Sequence, residues 1–202
     1  MKHYLHTKGG IWGHVFRRLV HVSLVFVPIV YFYGNHWLLR YFSVTSTQVL
    51  SYLVVLLSSL ECLRLKLGWN VFGQREYERH QTASVFWGFL AIYLVLTVSK
   101  SVFYAPMPIA MSIIISLALI DPLAGECRSL GISQYLSLPL ITTVALLIWM
   151  IGLHFSPYPL WLSFIIAPAV LLGETIELPN IDDNFTMCLF PLMVCLVVIP
   201  LS

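Results

Sequence analysis

Near the C-terminus, between two runs of almost pure hydrocarbon side chains, residues 174–186 hold four of the nine acidic residues in the chain. Glu174 and Glu177 are three apart and share a face if that segment is helical. Asp182, Asp183 and Asn184 stand where the last apolar run begins. Hard oxygen donors suit Mg2+, which is commonly held by one or two carboxylates together with phosphate oxygens. Capping of a helix start accounts for one aspartate. It does not account for four carboxylates beside a bilayer, where each is costly to desolvate.

Three other places carry groups with chemistry. At Asp121-Pro122, the residue before proline is pushed out of the α region, and Asp followed by Pro is a favoured helix start. The sequence therefore predicts a helix break there, with backbone N–H groups free to hold an anion. Asp121 could ligate Mg2+ or take a proton from a hydroxyl; a capping aspartate at an ordinary loop is the plainer reading. Arg17, Arg18 and His21 are spaced to share a helical face. Arginine forks match phosphate oxygens, although such a pair also serves as an anchor snorkelling to headgroups. Arg75-Glu76-Tyr77-Glu78-Arg79 leads straight into Thr82-Ala83-Ser84 and could close over a headgroup, or form a solvated set of salt bridges.

Apolar segments must position these groups. The 202 residues are 59% hydrophobic and 10% charged, with mean hydropathy +0.87, whereas a soluble domain carries about 25% charged residues. The composition predicts one all-α, polytopic membrane domain over residues 1–202, with about seven transmembrane helices. A span needs ~20 apolar residues. Candidates run over about 15–33, 47–63, 83–98, a fourth ending at Asp121, then 136–153, 159–173 and 185 to the C-terminus. The first follows Arg17-Arg18 without a small-residue cleavage site and reads as a retained span. Nine of the eleven Lys and Arg fall on one side of this arrangement, with Arg40 and Lys100 on the other. Positive loops stay cytoplasmic, so the N-terminus is expected inside, at a plasma or inner membrane. Arg17, Arg18, Arg75, Asp121 and the acidic hinge then share the cytoplasmic face. The four cysteines form no CxxC and no paired framework. A net charge of +2 gives no case for nucleic acid.

In order along the chain, these motifs resemble the polyprenol kinase group, which includes dolichol kinase, phytol kinase and CTP-dependent diacylglycerol kinase. Arg17-Arg18-Leu-Val-His21 resembles its opening basic pair and histidine, and Arg75-Glu76 with Glu78 and Thr82-Ala-Ser84 its Arg–Glu and Thr-Gly-Ala segment. Asp121-Pro-Leu-Ala124, with Gly131, resembles its Asp-x-x-Ala and glycine motif, and Asp182-Asp-Asn-Phe-Thr186 its terminal Asp-Asn-Leu-Thr signature. The chain departs from the group at Cys127-Arg128, where a Gly-Arg pair is usual. It departs again at residues 132–137, which lack the usual lysine and glutamate.

The resemblance implies transfer of the γ-phosphate of a nucleotide, CTP by analogy, to a prenol-type lipid or diacylglycerol. Asp121, His21 and Asp183 would be catalytic. Arg17, Arg18, Arg75, Glu76, Arg79, Gly131, Asn184 and Thr186 would bind the nucleotide. Asp121, Glu174, Glu177, Asp182 and Asp183 are the metal candidates. The partners would be a lipid alcohol, a nucleoside triphosphate and the bilayer, with self-association left open. A CTP-using lipid cytidylyltransferase, and a non-enzymatic lipid transporter or assembly factor, are the alternatives.

Overall fold

The computed structural model describes residues 7–176 and 178–201. The described residues form helices with no strand; their only β pairing is two isolated bridges, Thr7 with Arg75 and Leu178 with Ile181. Eight α-helices follow in order: α1 Gly10–Ser23, α2 Phe26–Phe42, α3 Ser46–Leu67, α4 Ser84–Val102, α5 Pro106–Ser129, α6 Gln134–His154, α7 Ser163–Thr175 and α8 Asp183–Val198. Helices α3, α4, α5 and α6 are long and apolar enough to cross a membrane, and the pair α1–α2 makes a fifth if it is one span bent by 46°. Helices α7 and α8 are apolar but shorter.

Helix α5 is the central post. It packs against α1, α2, α4, α6, α7 and α8 and buries Ile109, Ile113, Ile114, Leu117 and Ile120 completely. By contrast, α3 buries only Ser46, Leu50 and Arg64 of its 22 residues. A surface so rich in exposed Leu, Val and Tyr is what contact with hydrocarbon requires, because water would penalise it at roughly 25 cal/mol per Å².

Two expectations from the sequence are corrected here. The first apolar segment is not one straight helix ending near Tyr33. It bends at Leu24–Val25 and continues through Gly34-Asn35-His36 to Phe42. Pro28 has no N–H for the Leu24 carbonyl, which accepts from Val27 instead at 3.0 Å, and proline is the usual cause of such a bend. Nor does α5 break at Asp121: Pro122 lies inside a helix that runs on to Ser129. Interior prolines also occur in α6, α7 and α8 (Pro139, Pro168, Pro191). Such prolines are tolerated in apolar bundles because neighbouring helices enforce the helical path. Asp121 is thus a buried mid-helix side chain, not a cap.

The α7–α8 hairpin is the tightest pairing. A Cβ on Gly173 would lie 2.6 Å from Thr186 O and 2.7 Å from Met187 Cα. Thr186 locks this approach by donating its hydroxyl to Gly173 O at 2.6 Å. Because the clash is with backbone, Gly173→Val should force the helices apart and cost upwards of about 3 kcal/mol, the top of the range for overpacking. The fall in Tm in detergent measures it, and an unchanged Tm would contradict the close packing.

Candidate functional site

The ion pairs of α1 gather at one end of the bundle, formed by α1, the 68–83 loop, the last turns of α5 and α7, and the first turn of α8. Helix α1 turns its apolar residues Ile11, Trp12, Phe16 and Leu19 outward and buries Gly13 and His21. Its polar face therefore points into the protein.

Arg17 Nη1 donates to Glu78 Oε1 at 2.9 Å. Arg18 Nη1 reaches Asp121 Oδ2 at 3.3 Å. It can do so because residue 125 is glycine: a Cβ there would stand 2.4 Å from Arg18 Nη2. His21 Nε2 lies 3.2 Å from Asp121 Oδ2 and 3.0 Å from Asn184 Oδ1. Asn184 Nδ2 donates to Asp182, which fixes the amide with its oxygen toward the histidine. With two oxygen acceptors facing Nε2, that nitrogen carries the hydrogen. That N–H donates to Asn184 Oδ1, and the ring stands 3.2 Å from the Asp121 carboxylate.

Asp121, Glu174 and Asp183 each offer an oxygen within 4.8 Å of the others. Three ionised carboxylates that close repel by roughly 3–4 kcal/mol per pair at an effective dielectric near 20. Arg18 and His21 offset Asp121, and Arg128 Nη1 offsets Glu174 at 2.7 Å. Among the described residues no cation pairs with Asp183. Glu174 stands in the last turn of α7 and Asp183 in the first turn of α8, beyond the apolar runs at residues 159–173 and from 185 onward. Burial, opposed by Arg128, pushes the Glu174 carboxyl up to about 7. Burial first, then the negative charges of Asp182, Asp121 and Glu174, raises Asp183 well above the usual carboxylate range. Glu174 Oε2 is buried and has no hydrogen-bond partner among the described residues. An unsatisfied buried oxygen in an under-compensated set of carboxylates fits a divalent cation with oxygen ligands.

Beside the trio, Arg17, Arg18, Arg75 and Arg128 line one small pocket with His14, Gly125 and Glu126. Guanidinium groups thus converge from α1, from the loop and from α5. The space is about 40 Å3, and three of these groups already face carboxylates: Arg17 faces Glu78, Arg18 faces Asp121 and Arg128 faces Glu174.

The other residues singled out in the sequence fall elsewhere. Glu76 and Arg79 line a separate cleft with Lys8 and Trp69, because their single 3-10 turn projects away from the arginine pocket. Gly131 sits exposed in the turn after α5 with φ 69°, a left-handed conformation that favours glycine, and nothing lies near its α-carbon on the side-chain side. Asp182 is the α8 N-cap, accepting from the Asn184 N–H at 3.1 Å. It is not part of the trio. The Thr186 hydroxyl is committed to helix packing. Asn184 is buried. Glu177 lies outside the described residues.

Two charged residues of the Glu61–His80 segment, which the sequence reads as a solvated run of salt bridges, are instead buried beside the site. Glu78, fully buried, accepts from both Arg17 and Ser84. Arg64, buried at the end of α3, pairs twice with Glu61 at 2.8 Å and donates to the carbonyls of Trp69, Glu78 and Gln81. Glu61 in turn accepts the Ala83 N–H at 2.7 Å. The only signal in the sequence was the i,i+3 spacing of Glu61 and Arg64 at the edge of an apolar run. Comparison of the chain with protein-family models, with curated proteins and with solved structures gives no match.

Proposed function

We propose that this chain is an integral membrane lipid kinase that transfers the γ-phosphate of a nucleoside triphosphate, CTP by resemblance, to the hydroxyl of a prenol-type lipid or diacylglycerol. The observation that carries this reading is the convergence of four arginines on one pocket beside three carboxylates, at the end of an apolar bundle. Phosphoryl transfer asks mainly for positioning and charge compensation, and this inventory supplies both. Counting α1–α2 as one bent span and adding the short α7 and α8 gives seven crossings. The excess of Lys and Arg in segments at the site end then puts the site on the cytoplasmic side.

Asp121, Glu174 and Asp183 would hold Mg2+, which when bound neutralises phosphate charge. Arg17, Arg18, Arg75 and Arg128 bind the phosphate oxygens. Asp121, held by Arg18 and beside His21, accepts the proton of the lipid hydroxyl. The lipid oxygen forms the new bond to the γ-phosphorus, the bond from that phosphorus to the bridging oxygen breaks, and the nucleoside diphosphate leaves.

Purified protein incubated with γ-labelled CTP or ATP, Mg2+ and a panel of prenols and diacylglycerol is expected to place label in the lipid. No label from any pair would refute the kinase. A CDP-lipid released with pyrophosphate would instead identify a cytidylyltransferase. Cation binding has its own readout. Mg2+ at about 100 times its Kd should raise stability by about 2.7 kcal/mol, and Glu174→Gln or Asp183→Asn should abolish that thermal shift. An equal shift in both variants would place the cation elsewhere.

A further inference from the structure

The cleft just past the end of α3 is distinct from the arginine pocket. It encloses about 790 Å3, within the usual range for ligand pockets. A short antiparallel contact stands between the two spaces: Thr7 bridges Arg75, and the Lys8 N–H donates to Gln74 O at 2.8 Å. Thr7 and Arg75 line the arginine pocket, whereas Lys8 lines the cleft.

Its place in the fold sets its depth. Helix α3 is an apolar helix of 22 residues that ends at Leu67 and is capped by the left-handed Gly68. Trp69 follows at once, at the level where a membrane span meets water and where Trp side chains concentrate. Trp69 and Val71 are exposed. Next to them, the Phe72 ring lies 5.7 Å from that of Phe16, so the apolar rim runs on into the outward face of α1. Exposed charged groups stand beside these apolar side chains. Lys8, Arg79 and His80 face a single acidic residue, Glu76. Arg79 uses Nε to hold Gly68 O at 2.8 Å, and its two terminal nitrogens make no hydrogen bond among the described residues.

Exposed apolar side chains at interfacial depth beside exposed cations match a molecule with a phosphate head and hydrocarbon tails. We propose that this cleft binds the headgroup of an anionic phospholipid, with Trp69 and Val71 against the upper acyl chains. The phosphates of a nucleotide share part of this chemistry but leave the apolar rim unused. The assignment stands independently of the kinase.

Native mass spectrometry of the full-length protein in neutral detergent, given equal phosphatidylglycerol and phosphatidylcholine, tests it. The wild type should retain phosphatidylglycerol about tenfold over phosphatidylcholine, the size expected for one to two cations near an anionic lipid. Arg79→Gln combined with His80→Gln should bring the ratio to parity. Arg79→Lys, which keeps the charge, should preserve it. His80→Gln alone, at an exposed side chain, should lower the preference and guards against misfolding of the double variant. Equal retention of both lipids by the wild type, or an undiminished preference in the double variant, would overturn the proposal. So would displacement of phosphatidylglycerol by CTP or inorganic triphosphate, which would give the cleft to the nucleotide.

Discussion

Replacing Asp121 or Asp183 by Ala should abolish lipid phosphorylation while leaving protein in the membrane. Asp121 is the point where three segments meet: Arg18 at 3.3 Å, His21 at 3.2 Å and, through the histidine, Asn184 on α8. Its loss removes the hydroxyl's proton acceptor and one oxygen of the trio, and leaves Arg18 without its strongest partner. Removing a single preorganised electrostatic group costs about 10²–10³ in turnover. A group that also holds a cation should cost more. Asp183 has the same expected effect by a simpler route, because it is the member of the trio with no cationic partner of its own. Its removal should even relieve repulsion in the metal-free protein. Asp183→Ala is therefore expected to keep or raise Tm without Mg2+ while turnover disappears. Turnover in γ-labelled CTP and Tm, measured on the same preparations, separate the two effects. Full activity in both variants would remove the carboxylate trio from the chemistry.

The largest effect on stability should come from Arg64→Ala. One guanidinium fastens the 68–83 loop to α3 by bonding three of its carbonyls, at 3.0, 2.7 and 2.8 Å, while paired with Glu61. Deleting one partner of a buried ion pair costs about 3–5 kcal/mol because the other charge is left uncompensated. Here three carbonyls lose their donor as well. The loop carries Glu78, which holds Arg17, and Arg75, so its release should also open the arginine pocket. Limited proteolysis should cut Arg64→Ala within residues 68–83 where the wild type resists, with a large fall in Tm. Arg64→Lys should not restore the loop, since an ammonium cannot span the bidentate carboxylate and three separate carbonyls. A loop equally protected in all three proteins would refute this anchoring role.

The sequence by itself determined the class of molecule and its inventory. Apolar runs of span length and a charge content well under that of a soluble protein lead to an all-helical, membrane-compatible chain. The long α4 and α6 appear close to where hydropathy places them. The sequence also isolated Arg17, Arg18, His21, Arg75, Asp121 and the 174–186 hinge as the polar groups needing an explanation. All of the described ones except some hinge residues face one another.

Tertiary structure decided which atoms meet. His21 and Asn184 are 163 positions apart, and their contact depends on how α1 and α8 are rotated about their axes. No local pattern encodes that rotation. For the same reason the sequence could not tell that Asp183 joins Asp121 and Glu174 while its neighbour Asp182 caps a helix, since adjacent residues on a helix point about 100° apart. The helix break predicted at Asp121-Pro122 failed because the preference of a pre-proline residue is local and modest. Packing of α5 against six other helices overrides it. The burial of Glu78 and Arg64 was not legible because a charged residue in a polar loop, or at the edge of an apolar run, looks solvated until the fold buries it.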